Sequence, residues 1–195
     1  PSISFFLTCK SEEEIQKLWD HLIEGGMALM PYNSYPWAKK YGWLQDKYGV
    51  SWQLSWNETP AEEQKITPML MFTQSMAGKA KEAIESYTKL FPNSTIKTLV
   101  PYEKGDGDTE GFLKHAQFTL NGAEFMAIDS SGPHKFTFNE AVSLVVNCDT
   151  QEEIDAYWEA LSAVPEAEQC GWLKDKYGVS WQIVPSLMAK MMSEG

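Results

Sequence analysis

One stretch of this chain occurs twice. Gly42 to Gln53 reads GWLQDKYGVSWQ and Gly171 to Gln182 reads GWLKDKYGVSWQ, so eleven of twelve positions match at an offset of 129 residues. Identity over that length marks an internal duplication, and the chain must build the same structural object more than once. Each copy places an Asp-Lys-Tyr-Gly turn, whose glycine takes the positive φ that tight turns need, between two runs of β-preferring residues. The repeated object is a β-hairpin.

The duplication continues upstream of the hairpin. Ile3 to Cys9 (ISFFLTC) has the pattern of a buried strand, and Ser11 with Glu14 forms a capping box that opens a helix with Ile15, Leu18, Trp19 and Leu22 on one face. Glu140 to Cys148 and the capping box Thr150 to Glu153 repeat this, followed by Ile154, Tyr157, Trp158 and Leu161. Pro1 to Leu22 aligns with Glu140 to Leu161 at an offset of 139, so the first copy carries a connector ten residues longer between Leu22 and Gly42. With Pro31, Tyr32, Asn33, Tyr35, Pro36 and Trp37, that connector is too proline-rich for a helix and too aromatic for an idle linker.

Between the copies lies a unit of a second kind. Ile66 to Phe72 reads as a strand, Met76 to Phe91 as a helix, Thr95 to Tyr102 as a strand, and Phe112 to Leu120 with Ala123 to Asp129 as a hairpin turning on Asn121-Gly122, a type I′ signal. Pro185 to Met192 reads as a short closing helix. The polar segment Asn57 to Lys65 is the best boundary. The expected division is a half-domain over 1–57 and a complete domain over 58–195, the latter made of units 66–130 and 139–186. On this arithmetic the first unit is the second half of a domain, whose first half either precedes Pro1 or is supplied across a dimer.

Composition narrows the function. A net charge of −11, with 16 basic residues scattered among 27 acidic ones, argues against nucleic-acid binding. No apolar run approaches the roughly 20 residues that span a bilayer, which points to a soluble, cytoplasmic protein with no membrane partner. Three cysteines without metal-type spacing, Cys9, Cys148 and Cys170, read as reduced, buried hydrophobes. Neither a glycine-rich phosphate loop nor a nucleophile elbow is present.

Taken together, the β-α-β-β-β unit, the NGAEFMAID hairpin, the phrase GPHKFTFNEAVSLVVNCDTQEEIDAYW and the closing CGWLKDKYGVSWQIVP resemble the PhnB-like family of the vicinal oxygen chelate superfamily, which holds the glyoxalases, extradiol dioxygenases and bleomycin-resistance proteins. The resemblance covers residues 66 to 190, with 3 to 56 as a further half-domain. It implies an α+β fold in which repeated β-α-β-β-β units form cup-shaped mixed or antiparallel sheets, with substrate and a divalent metal inside the cup. The superfamily's last-strand ligand is a glutamate standing after an Asp-x-x-Gly turn. Here Asp46 and Gly49 lead to Gln53, and Asp175 and Gly178 lead to Gln182, both neutral and weaker ligands. The first strands hold no histidine, so the expectation is no cofactor; if a divalent metal is held, His115 and Gln182 are its ligands.

The expected ligand pocket is His115, Gln117, Trp172, Trp181, Gln182 and Met71. Alternation along Phe112 to Leu120 places His115 with Leu113, Gln117 and Thr119, opposite Lys114, Ala116, Phe118 and Leu120. His21 reads as a solvated helix residue and His134 as a loop residue. Asp106, Asp108 and Glu110 lack the rest of a calcium-loop spacing and read as a solvated loop. Asp46 and Asp175 organise their turns. Small-molecule binding in the cup is the leading expectation. A divalent-metal-dependent isomerase, lyase or oxygenase is the alternative, and half-domain pairing in a homodimer is a third.

Overall fold

A computed structural model describes residues 2–58 and 64–188. The first unit runs β1 (Ile3–Cys9), α1 (Glu12–Leu22), β2 (Met27–Tyr35), β3 (Ala38–Gln45) and β4 (Ser51–Trp56). The second runs β5 (Ile66–Phe72), α2 (Ala80–Leu90), β6 (Thr95–Pro101), β7 (Leu113–Leu120) and β8 (Ala123–Asp129). The third runs β9 (Ser143–Cys148), α3 (Gln151–Leu161), β10 (Trp172–Lys174) and β11 (Ser180–Pro185). The expected boundary at Asn57 to Lys65 and the expected closing helix both fall partly outside the described residues.

Local chemistry explains the helix starts. The Ser11 hydroxyl accepts from the Glu14 amide at 3.1 Å while the Glu14 carboxylate accepts from the Lys10 amide at 2.6 Å, and Thr150, Glu153 and Asp149 repeat the arrangement. Helix α2 begins later than its apolar spacing suggests. A 3₁₀ turn covers Gln74–Met76, Gly78 takes φ +84°, and Lys79 supplies no side-chain cap. The cap comes from Asp129 at the end of β8, which accepts from the Gly78, Ala80 and Leu113 amides at 2.8 to 3.1 Å.

The connector after α1 is not a loop. It is β2, an outermost strand, where the missing N–H of Pro31 is tolerated and register shifts bend the ladder. On β7 a register shift falls between Val100 opposite His115 and Pro101 opposite Leu113, and it turns Leu113 into the core beside Ala116 and Phe118 instead of onto the face of His115. The Asn121-Gly122 corner has positive φ at both residues, 47° and 79°, as a type I′ turn requires.

Strand pairing joins the first unit to the second. Eight strands run in the order β2-β3-β4-β1-β5-β8-β7-β6, and the first strands of the two units, β1 and β5, meet antiparallel at the centre with Phe5 opposite Pro68. The third unit forms its own three-stranded sheet, β10-β11-β9. Side-chain packing follows a different division. Leu7, Cys9, Ile15, Trp19, Leu44 and Leu54 make a core under α1, and Gly42 belongs to it because a Cβ there would lie 2.3 Å from the Trp19 ring. A second, larger core merges the second and third units, with Leu70, Phe72, Tyr87, Phe91 and Phe118 against Leu161, Leu173, Trp181 and Ile183. The second unit is thus tied to the first chiefly by the β1–β5 ladder, and to the third by a shared apolar core with side-chain hydrogen bonds such as Tyr87 to Asp175.

Among the described residues no helix is long and apolar enough to cross a membrane.

Candidate functional site

The face of the eight-stranded sheet turned away from the helices is where the two units meet. On β1, Leu7 and Cys9 pack under α1, so strand alternation sends Ser4 to the opposite face. On β4 the same logic buries Leu54 and turns Gln53 outward from the helix. Across the seam, Leu70 and Phe72 of β5 enter the helix-side core, leaving Met69 and Met71 beside Ser4 and Gln53.

A continuous hydrogen-bond chain crosses this seam. The Tyr41 hydroxyl donates to Gln53 Oε1 at 2.6 Å, and Gln53 Nε2 reaches Ser4 Oγ at 2.8 Å and Met69 Sδ at 2.9 Å. Burial pushes the Tyr41 phenol well above its ordinary range, so it remains a donor at neutral pH and holds the amide in one orientation. The register continues outward in one row, Ser4 opposite Met69, Met69 beside Met126, Met126 opposite Gln117, and Gln117 opposite Thr98. Tyr41, Gln53, Ser4, Met69, Met71 and Met126 are each only 2% to 6% exposed. Met69, Met71 and Met126 line the face, and their unbranched thioethers repack more readily than branched residues do.

The six residues expected to form one pocket divide between the two sheets. Met71, His115 and Gln117 lie on the eight-stranded sheet, His115 half-buried opposite Val100 and Gln117 half-buried opposite Met126. Trp172 and Gln182 are register partners on the three-stranded sheet, where Gln182 Nε2 donates to Ser143 Oγ at 2.6 Å. Trp181 is 2% exposed, with its ring 5.3 Å from Tyr87 and 5.4 Å from Phe91. The glutamine that shares a face with Met71 and Gln117 is therefore Gln53, the other copy in the repeat. Tyr41, Ser4 and Met69 were not expected at the site. Pairing of β4 with β3 and β1 brings Tyr41 and Ser4 to Gln53, and pairing of β1 with β5 adds Met69, although Ser4 and Gln53 recur in the sequence as Ser143 and Gln182.

The donors at Gln53 do not suit the divalent ion that the superfamily implies. Both ends of the amide are already hydrogen-bonded, and its neighbours are a phenol, a hydroxyl and a thioether, with no carboxylate or imidazole in the set. Among the described residues no three His, Cys, Asp or Glu side chains stand close enough together to hold a metal.

The remaining candidates lie apart from this row. His21 is exposed in the last turn of α1, and His134 hydrogen-bonds Ser130 Oγ at 2.8 Å in its loop. Asp106 pairs with Lys114, and Asp108 accepts from Ser131. Cys9 and Cys148 are buried as expected, and burial pushes the Cys9 thiol up to about 11. Cys170 is exposed with φ +50°, because it stands in the turn that opens β10. A cavity of about 460 Å³ lies elsewhere, between the second and third units, and is lined by Met76, Thr137, Phe138, Asp175 and Tyr177 among others.

Comparison with known proteins agrees with this fold. The family described as 3-demethylubiquinone-9 3-methyltransferase matches residues 1–55 and 64–184. The PhnB protein of Bacillus cereus is 46% identical, with a TM-score of 0.55, over 63% of this chain and 99% of its own. Glyoxalase I from Zea mays is 13% identical, covering 98% of this chain and 69% of its own with a TM-score of 0.59, a likeness of fold alone. No curated protein matches the chain.

Proposed function

We propose that this chain, which belongs to the PhnB-like family described as 3-demethylubiquinone-9 3-methyltransferase, within the vicinal oxygen chelate superfamily, binds a small neutral molecule on the helix-free face of its eight-stranded sheet. The observation that carries this reading is the Tyr41–Gln53–Ser4 chain. Three buried polar side chains converge at a seam otherwise lined by methionine, where hydrophobic packing alone would have been simpler.

The chemistry of the site defines the ligand class. Tyr41 and Gln53 offer neutral donors and acceptors, while Met69, Met71 and Met126 offer polarizable apolar walls, so the ligand carries one or two oxygens on a largely apolar body. Rotation of the methionines opens the face, and the ligand's oxygens replace the bonds within the Tyr41–Gln53 pair. His115 and Gln117 flank the same face. Methyl transfer, the activity in the family's description, finds no support in the described strand-to-helix junctions. Their one glycine, Gly78, is covered by the Phe112 ring, 2.5 Å from where a Cβ would stand.

Ligand-observed NMR against a library of small ketones, amides and phenols is expected to return binders that also shift the methyl resonances of Met69, Met71 and Met126. Gln53→Leu is expected to weaken those binders at least tenfold, with Tyr41→Phe weakening them less. Binders that move none of these methyls, or that bind Gln53→Leu unchanged, would overturn the proposal.

A further inference from the structure

We infer that Ser2 is a second polar anchor for the small molecule taken at Gln53, so that the ligand carries an oxygen at each end of an apolar body, the two standing ~7 Å apart, the advance of two strand residues. The inference rests on the reading of the Gln53 seam given above and narrows its ligand class.

Ser2 stands one residue before β1 and continues its line. The Met71 amide donates to the Ser2 carbonyl at 2.7 Å, which extends the β1–β5 ladder one step beyond Ile3 opposite Leu70. Ile3 and Leu70 both enter the helix-side core, so alternation turns Ser2 and Met71 to the helix-free face, where Ser4 and Met69 already lie. Ser2 is 3% exposed, and its Oγ is buried without a hydrogen-bond partner. Two residues on, Ser4 Oγ is engaged by Gln53 Nε2 at 2.8 Å.

An unpaired buried hydroxyl costs stability, so folded chains ordinarily pair such a group or put an apolar one in its place. The duplication shows that the unit does not require a hydroxyl here. At the offset of 139, Ile3 and Ser4 recur as Val142 and Ser143, but Ser2 recurs as Ala141. Ala141 is exposed, whereas Ser2 is buried. Hydration alone would put the hydroxyl in the exposed copy and the methyl in the buried one, and the chain does the reverse. Among the described residues the other buried side-chain polar atom without a partner is Tyr32 Oη, on the helix side, where its ring stacks on Trp19.

A ligand that reaches both anchors lies along β1. One oxygen meets the Gln53 amide, the other meets Ser2 Oγ, and Met69 and Met71, opposite Ser4 and Ser2, line the body between them. Ser2 Oγ both donates and accepts, so it takes a carbonyl or a hydroxyl at that end; being neutral, it offers no charge to offset desolvation of a carboxylate or phosphate. Rotation of Met71 is the movement that opens the way to it.

Acetophenone and para-hydroxyacetophenone, which differ by one hydroxyl across the ring from the ketone, test the second anchor. The para compound is expected to bind the chain about tenfold more tightly, the scale of one neutral hydrogen bond, and ortho-hydroxyacetophenone, whose oxygens are adjacent, to gain nothing. Ser2→Ala is expected to bring the para compound down to the affinity of acetophenone, whereas Gln53→Leu is expected to weaken both. Melting temperature supplies a readout free of any ligand: Ser2→Ala is expected to leave it unchanged or raised, because the substitution removes an unpaired buried oxygen, where loss of a structural hydrogen bond would lower it. Equal affinity for acetophenone and the para compound, an advantage that survives Ser2→Ala, or a melting temperature several degrees lower in Ser2→Ala would overturn the inference and leave binding at Gln53 standing. Affinities indifferent to Gln53→Leu, or no binding of either compound at millimolar concentration, would overturn both.

Discussion

Asp175→Ala is expected to destabilise the protein by about 3–5 kcal/mol, whereas Asp46→Ala, the same substitution in the other copy of the hairpin, is expected to cost about 1 kcal/mol. The two turns are built alike. In each, one carboxylate oxygen accepts from two backbone amides of the turn, Tyr48 and Val50 or Tyr177 and Val179, at 2.9 Å. In each, the other oxygen accepts from the indole N–H of Trp52 or Trp181 at 2.9 Å. What differs is the surroundings. Tyr48 is 81% exposed where Tyr177 is 3% exposed, because the second hairpin lies against α2. Tyr87 of α2 adds a further hydrogen bond to Asp175 at 2.5 Å. Removing Asp175 strands four buried donors, while the donors released by Asp46→Ala are reached by water. Thermal unfolding of the two variants is the check, with a drop of roughly 6–20 °C expected for Asp175→Ala at about 2–4 °C per kcal/mol for a chain of this size.

The two aspartates also bias the acid profile in opposite directions. For Asp175, burial outweighs the hydrogen bonds from Tyr87, Trp181 and the turn amides and holds the carboxyl above its ordinary range. Its contribution to stability is therefore full below the unfolded-state value and declines as pH rises through the folded one. For Asp46, burial is outweighed by the bonds from Trp52, Val50 and Tyr48, which hold the carboxyl below its ordinary range. Its contribution is present above the unfolded-state value and is lost as pH falls through the folded one. Urea unfolding across the acid range is expected to show stability rising more steeply with pH in Asp175→Ala than in the parent, and less steeply in Asp46→Ala.

The identity of these two turns is what made the duplication legible, and their difference is what the sequence conceals. Features set by neighbours along the chain were readable: both capping boxes, the ends of β1, β5 and β8, the Asn121-Gly122 corner and the α+β class. Features set across the chain were not. Helix α2 takes its cap from Asp129, 49 residues after Ala80, and no local pattern announces that. Strand β2 resembled a connector because an edge position tolerates the proline and irregular register that a central strand would reject. The candidate site suffered most from this limit. Gln53 and Gln182 stand in nearly identical dodecapeptides, and only the pairing of β1 with β5 decides which glutamine lies beside Met69 and Met71. A resemblance between units shows what each unit is, but the edges along which units meet depend on contacts the repeat does not encode.

The division of the chain into folding units turns on Trp181. We propose that residues 58–195 unfold as one cooperative body, because the second and third units share a core even though their strands belong to different sheets. Trp181 is the largest fully buried side chain of that core. Its ring lies against Tyr87 and Phe91 of α2, and Phe91 in turn stacks on Tyr157 of α3 at 5.1 Å. Trp181→Ala is expected to cost about 3–5 kcal/mol, the range for losing a buried aromatic with its cavity. Its repeat counterpart Trp52 is half-buried over the smaller core under α1, so Trp52→Ala is expected to cost less. Amide hydrogen exchange distinguishes the possible outcomes. If 58–195 is one body, Trp181→Ala is expected to accelerate exchange equally in α2, β8 and β11, with α1 and β3 retaining more of their protection. Loss of protection confined to β9, β10 and β11 would instead make the third unit an independent body. Equal loss throughout β1 to β8 would show that the central β1–β5 ladder couples units more strongly than the shared core does. That ladder consists of a few backbone hydrogen bonds, each contributing about 0.5–1.5 kcal/mol net, whereas the core buries Phe72, Tyr87, Phe91, Phe118 and Trp181 together, at about 1.5–3 kcal/mol for a large side chain. The balance of those magnitudes favours the core as the stronger coupling.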